Sequence, residues 1–256
     1  MTEDLKSLLA VAVEAANAAA AILIEKFSDP TVRSTAKGGP TDLVSEADRT
    51  AEQAIEEVLR RRRPADGIFG EESGESAGTS RLRWIVDPLD GTENYLRELT
   101  PWATSIACED GQNTLVGVVA DPVRREIFAA QRNAGLSAPG ERQHAKGSAP
   151  RRLDEAVLAT GRLATPASMA TVFDSVGKLR NFGCVALSLA WTAAGRCDIC
   201  YFESERLSRW DAAAGTLLCI EAGLTVQWLG PLEAGAPPRL VAGPGHLVQA
   251  LAAATS

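Results

Sequence analysis

The segment Trp84-Ile85-Val86-Asp87-Pro88-Leu89-Asp90-Gly91-Thr92 constrains this chain more than any other stretch. Trp84 to Val86 is a short apolar run that reads as a buried strand. It ends abruptly in two carboxylates three residues apart, then a Gly-Thr turn. Asp87 and Asp90 offer anionic oxygens, the ligand type that hard cations such as Mg²⁺ prefer. Pro88 fixes φ between them, so a stiff turn is expected. Gly91 lets the backbone come close to a ligand. A helix opening at Thr92 would aim free N–H groups and its positive dipole end at an anion. Taken alone, Asp87-Pro88 also reads as a plain turn.

The flanking sequence alternates helix and strand patterns, which reads as α/β layers. Residues 4–27 and 45–63 read as helices, the second with Ser45 as N-cap and Asp48 at the capping-box position. Lys37 to Pro40 and Gly67 to Gly78 read as loops, the latter carrying Glu71 and Glu72. Leu82 to Val86 is a strand. Ser105 to Ala107, Thr114 to Asp121 and Glu126 to Gln131 alternate like an antiparallel meander. Residues 132–152 are rich in Gly, Pro, Ser and charge and read as a lobe junction. Strands are expected at 157–160, 197–202 and 224–228, and helices at 168–179, 185–194 and 211–222. The division is an N-terminal lobe, 1–135, and a C-terminal lobe, 136–256.

With 256 residues, 45% hydrophobic and 23% charged, the composition is that of an ordinary globular protein. The net charge of −7 argues against nucleic acid as a main partner. The run Arg60 to Arg63 reads as a solvated helix C-terminus stopped by Pro64. No apolar run approaches the ~18 residues that span a bilayer, and the Ala-rich start lacks a basic leader. The expectation is a cytoplasmic protein with no membrane partner. Five cysteines, an odd count, argue for free thiols. Cys197 and Cys200 have C-x-x-C spacing, but in a strand positions i and i+3 face opposite ways. Only two histidines occur, His144 and His246, and neither lies in a motif. A Ser-His or Cys-His nucleophile is therefore disfavoured.

Four segments together carry a resemblance. Asp87-Pro88-Leu89-Asp90-Gly91-Thr92 is similar to the D-P-[IL]-D-G-T signature of the inositol monophosphatase family. Gly70-Glu71-Glu72-Ser73 looks like that family's G-E-E-[ST], and Trp210-Asp211-Ala212-Ala213-Ala214-Gly215 like its W-D-x-A-[AG]-[GA]. Asp42 to Asp48 is similar to D-[LP]-V-[TS]-x-x-D. The resemblance spans residues 37 to 215. It implies a five-layer αβαβα sandwich of the inositol monophosphatase and fructose-1,6-bisphosphatase type. It also implies Mg²⁺-dependent hydrolysis of a small phosphomonoester, and a homodimer.

By that resemblance Asp87 bridges two Mg²⁺ ions. Glu71 and the carbonyl of Leu89 complete one site, Asp90 and Asp211 the other, and a third, weaker ion touches Glu71. Glu72 orients ligands or water. Asp48 and Thr92 position and activate the attacking water, and the amides of Gly91 and Thr92 cradle phosphate. Each acid has a plainer reading too. Asp48 fits a capping box, Asp211 a dipole-favoured helix start, and Glu71 and Glu72 ordinary loop charges.

Substrate contacts are expected from the C-terminal lobe: Cys184 and Val185, then Glu203 or Glu205, with Arg206 and Arg209 on the same approach. Cys184 stands where relatives carry a hydroxyl, and the gap from Glu203 to Asp211 is one residue longer. Glu203 also reads as a solvent-facing rim charge. Trp210 reads as a packing anchor. Rival substrates are histidinol phosphate, a nucleoside monophosphate, adenosine 3′,5′-bisphosphate or a sugar phosphate. A rival of another class is a regulatory binding protein without turnover.

Overall fold

The computed structural model describes residues 4–27, 34–36, 43–111, 113–139, 150–161, 166–203, 207–229 and 239–255. The chain begins with α1 (Leu5–Lys26), whose N-cap Asp4 accepts the Lys6 N–H at 3.1 Å. Then come β1 (Ser34–Ala36), β2 (Leu43–Ser45), α2 (Glu46–Arg62), β3 (Gly67–Gly70), β4 (Gly74–Ser76), β5 (Arg83–Asp90) and α3 (Thr92–Leu96). The meander follows as β6 (Ala103–Glu109), β7 (Thr114–Asp121), β8 (Glu126–Gln131) and β9 (Leu136–Ser137). A short 3₁₀ turn at Leu153–Glu155 leads to β10 (Val157–Thr160), α4 (Pro166–Ser175), β11 (Lys178–Asn181) and α5 (Val185–Ala193). The chain closes with β12 (Ile199–Glu203), α6 (Arg209–Glu221), β13 (Thr225–Leu229), β14 (Arg239–Gly243) and α7 (Gly245–Ala254).

Two sheets alternate with three helical layers. The seven-stranded sheet runs β4-β3-β5-β6-β7-β8-β9, parallel only between β3 and β5. The five-stranded sheet runs β11-β10-β12-β14-β13, with β10 parallel to both its neighbours. α1 and α2 cover one face of the large sheet, and α5 and α6 its other face. α5 and α6 also cover the inner face of the small sheet, whose outer face carries α7 with α4 packed on it. This is the expected five-layer αβαβα sandwich.

Each of the four interlayer spaces has its own apolar cluster. Strand alternation sorts the side chains between them. On β5, Trp84 and Val86 point to α1 and α2 while Ile85 points to α5 and α6. On β12, Ile199 and Tyr201 point outward while Cys200 and Phe202 point to the shared helical layer. α5 and α6 are held close because Gly215 lacks a side chain; a Cβ there would lie 2.5 Å from Leu189 Cβ. Gly215→Ala is expected to cost about 1–3 kcal/mol by overpacking, read as a lower melting temperature.

Several sequence expectations need correction. The loop expected at 67–78 is the β3–β4 hairpin, whose strands are too short and Gly-rich to show a period. The helix expected to reach 179 stops at Ser175, and Lys178–Asn181 is a strand. α1 is 22 residues long and apolar enough by length and composition to cross a membrane, against the expectation. Its stripe of Leu8, Val11, Ala12, Ala15, Ala16, Ala19 and Leu23 packs in the first interlayer core. The basic run is more than a solvated end: Arg61 and Arg62 both pair with Glu14 of α1, at 2.8 and 3.1 Å. Cys197 precedes β12 rather than lying on it, so it and Cys200 face the same core. Burial pushes both thiols up, to about 11 and about 12, which disfavours the thiolate that redox or metal chemistry needs. All five cysteines are free and buried. The loop expected at Lys37 to Pro40 lies outside the described residues.

Candidate active site

The two aspartates of the signature converge because β5 carries a bulge. Asp87 pairs with Ser105 and Asp90 with Ala103, so three steps on β5 match two on β6. In an unbroken strand residues 87 and 90 would face opposite ways; the extra residue cancels that alternation. Pro88 sits inside the bulge, where its missing N–H costs no ladder bond, and its carbonyl accepts the Thr104 hydroxyl at 2.9 Å. The strand thus continues through the segment expected to be a turn. Asp87 Oδ1 accepts the Leu89 N–H at 3.0 Å, fixing its rotamer.

Two helix starts deliver the other acids. Asp48 is both a capping residue and a site residue, with one oxygen for each task. Its Oδ2 accepts from the Ser45 N–H at 2.8 Å and from the Ser45 hydroxyl, closing the capping box of α2. Its Oδ1 accepts the Thr92 hydroxyl at 2.9 Å, which also lies 3.0 Å from the Leu89 carbonyl. Asp211 repeats the device on α6, where its Oδ2 accepts the Ser208 N–H at 2.6 Å. One oxygen from each of Asp87, Asp90 and Asp211 lies within 4.8 Å of the others.

This cluster is electrostatically unfavourable by itself. Asp87 is raised well above the usual carboxylate range, first by burial and then by Glu71, Asp90 and Asp211. Asp211 is likewise raised by burial and by Asp90. Burial pushes Asp90 up to about 6, despite hydrogen bonds from Cys184 and the Ala186 N–H. Among the described residues no ion pair reaches Asp87, Asp90 or Asp211. Buried acids lacking a cationic side chain, with oxygens converging on one point, suit a metal ion.

Glu71 and Glu72 sit half-buried on the turn between β3 and β4. Glu71 hydrogen-bonds to Asp87 and raises it, which puts its carboxyl at the cluster. Gly91, at φ 91°, reverses the chain between the bulge and α3, a conformation that suits glycine. Cys184 is buried at the start of α5, its Sγ donating to Asp90 Oδ2 at 3.0 Å. The Ala186 N–H joins it at 2.6 Å, and the Val185 N–H also bonds Asp90. These two positions, expected to touch substrate, thus meet a cluster carboxylate.

Other expected residues lie elsewhere. Glu203 is 2% exposed, so it is not a rim charge. Alternation along β12 puts it on the face of Ile199 and Tyr201, away from α6, with its carboxylate 3.4 Å from the Tyr201 hydroxyl. The structure does not bring it to the cluster. Arg209 clasps Glu109 through Nε at 3.1 Å and through Nη2, and Arg83 holds the same carboxylate at 3.0 Å. Glu205 and Arg206 lie outside the described residues. Trp210 is the expected anchor, edge-on to Phe69 with centroids 5.0 Å apart.

Two residues escaped the sequence reading. Asn94 donates through Nδ2 to the carbonyls of Pro101 and Phe182, at 2.7 and 2.8 Å, tying α3 to the approach to Cys184. Glu52 accepts the N–H groups of Glu72 and Ser73. Its signal was available: an acid on the Ala47, Ala51, Ile55 stripe of α2, one turn after Asp48.

Comparison with known proteins gives one consistent answer. The inositol monophosphatase family model matches residues 4–255. The Nus factor SuhB of Escherichia coli K12 is 38% identical over 256 residues, covering 96% of this chain and 94% of that one. The inositol-1-monophosphatase of Caulobacter vibrioides is 38% identical over 221 residues, covering 82% and 85%. Among solved structures, the extragenic suppressor protein suhB of Bartonella henselae superposes with a TM-score of 0.85 at 35% identity, covering 97% and 98%.

Proposed function

Since the chain belongs to the inositol monophosphatase family, we propose that its carboxylate cluster holds Mg²⁺ and serves hydrolysis of a small phosphomonoester by water. The family makes it a phosphoric monoester hydrolase. The observation that carries the metal reading is the convergence of Asp87, Asp90 and Asp211 within 4.8 Å, without a cationic partner among the described residues. Glu71, Asp87, Asp90, Asp211 and the Leu89 carbonyl would hold two to three ions. When bound, the ions neutralise phosphoryl oxygens, acidify water and stabilise the leaving oxygen.

The chain's own groups do the rest. Thr92 has one hydroxyl proton, directed to Asp48 Oδ1 or the Leu89 carbonyl. Its oxygen lone pairs then accept a hydrogen from the attacking water, which orients that water's own lone pair. As Thr92 Oγ takes a proton from that water it passes its own hydroxyl proton to Asp48 Oδ1, and Asp48, raised by burial above the usual carboxylate range, is suited to receive it. Glu72 orients water at the edge of the cluster, and the amides of Gly91 and Thr92 contact the phosphate. Thr92→Val keeps the shape and removes the hydroxyl. It is expected to lower kcat by about 10²-fold or more with little change in melting temperature.

The substrate is read as inositol-phosphate-like, with Cys184, Val185, Glu205 and Arg206 setting the choice. Histidinol phosphate, nucleotides and sugar phosphates are the rivals. The name Nus factor on relatives of the same identity supports a second reading, a regulatory binding role beside turnover. Cytoplasmic residence is supported by the five free thiols, and a homodimer by the family resemblance. The test is phosphate release from a phosphomonoester panel with Mg²⁺ and with EDTA. Turnover of one substrate above the rest identifies it; no turnover by folded protein favours the binding role.

A further inference from the structure

We propose that Glu52 is a positioning residue that sets the placement of Glu71 and thereby the affinity of the cluster for a divalent cation. The inference rests on the metal-binding reading above. Glu52 lies on α2, 3% exposed, one helical turn beyond Asp48. A buried glutamate is costly unless its oxygens are satisfied. Here both are: Oε2 accepts the Glu72 N–H at 3.0 Å and Oε1 the Ser73 N–H at 2.6 Å. The preceding N–H, of Glu71, goes to the Val86 carbonyl of β5 at 3.1 Å. Three consecutive amides are thus fixed, one by the sheet and two by Glu52.

That matters because of where the turn lies. It joins β3 to β4, the edge strand of the large sheet, and Ser73 at its tip is exposed. An edge hairpin with a three-residue second strand gains little from its own ladder, and the Arg83–Glu75 pair at 3.1 Å holds β4 beyond the turn. Glu71 hangs from this turn yet has to meet Asp87 of β5, two strands in from the edge. α2 therefore reaches the site twice, through Asp48 to Thr92 and through Glu52 to the Glu71–Ser73 turn. Gly70 belongs to the same device. A Cβ at residue 70 would lie 2.7 Å from Glu52 Cδ and Oε1 and 2.8 Å from Oε2, so any side chain there displaces the carboxylate.

Two independent variants test the proposal. Glu52→Gln leaves one carbonyl acceptor and turns an amide donor toward an N–H. Gly70→Ala keeps Glu52 but pushes its carboxylate off the turn. The readout is Mg²⁺ binding by calorimetry, alongside melting temperature in EDTA and turnover against Mg²⁺ concentration. Each variant is expected to weaken Mg²⁺ binding about 10-fold or more. Excess Mg²⁺ should restore most of kcat, and the double variant should bind no more weakly than the worse single one, since both break the same contact. If Glu52→Gln does not fold, Gly70→Ala decides. Mg²⁺ affinity within twofold of wild type in a folded variant, or additive losses in the double variant, overturns the proposal even if melting temperatures fall. Wild-type protein that binds no Mg²⁺ overturns the metal-binding reading itself, and this inference with it.

Discussion

Asp87→Asn is expected to abolish phosphate release, lowering kcat on the order of 10³-fold or more, while the protein stays folded. Asp87 is the most heavily burdened acid of the cluster, facing Glu71, Asp90 and Asp211 from a fully buried position. Its loss removes the anionic oxygen that the other acids surround, and Mg²⁺ binding should fail with it. The fold should survive because asparagine keeps the shape and its Oδ1 can still accept the Leu89 N–H. In EDTA the variant should melt at or above the wild-type temperature, since a repelling charge has gone. Asp211→Asn should show the same loss of turnover, but its Oδ2 also caps α6, so it gains less in stability. Near-normal turnover of Asp87→Asn at saturating Mg²⁺ would sink the assignment.

The second large effect is on stability against pH without metal. Asp90 is raised from 3.8 to about 6 by burial. Its folded state therefore holds a proton that the unfolded chain has released, and stability falls as pH rises from about 4 to about 6. Asp87 and Asp211 are raised too and act in the same direction. Other groups titrate across this range, so the clean reading is the difference between wild type and Asp90→Asn in EDTA. That difference should be near zero at pH 4 and favour the variant by pH 7. Saturating Mg²⁺ should reverse it, because only the wild-type cluster gains from binding. A difference independent of pH would contradict the account of the cluster as charge held without a cationic side chain among the described residues.

The sequence was most legible where chemistry and pattern coincide. Strand, paired aspartates and Gly-Thr in one segment located the centre of the site, and the capping box at Ser45 located the start of α2; the second capping box, at Ser208, emerged only from the structure. What the segment could not show is the bulge at Pro88, because a proline between aspartates looks the same in a turn. The bulge is a matter of register with β6, a partner distant in sequence. β3 and β4 were missed for a related reason: Gly67-Ile68-Phe69-Gly70 is too short to carry a period, and its pairing with β5 makes it a strand. The capping and site readings of Asp48 looked like rivals, yet its two oxygens serve both at once. Glu203 was singled out by the place the resemblance gives to a substrate-binding acid, which says nothing of the face it occupies here; the alternation of β12 turns it outward. β14 and α7 close the small sheet with no motif to announce them.

The measurement closest to the central claim is phosphate release from inositol monophosphate and the wider panel, with Mg²⁺ and then with EDTA. The account predicts turnover that appears with Mg²⁺, vanishes in EDTA, returns when Mg²⁺ is restored and is absent in Asp87→Asn. Turnover that persists in EDTA, or that Asp87→Asn retains, would contradict it.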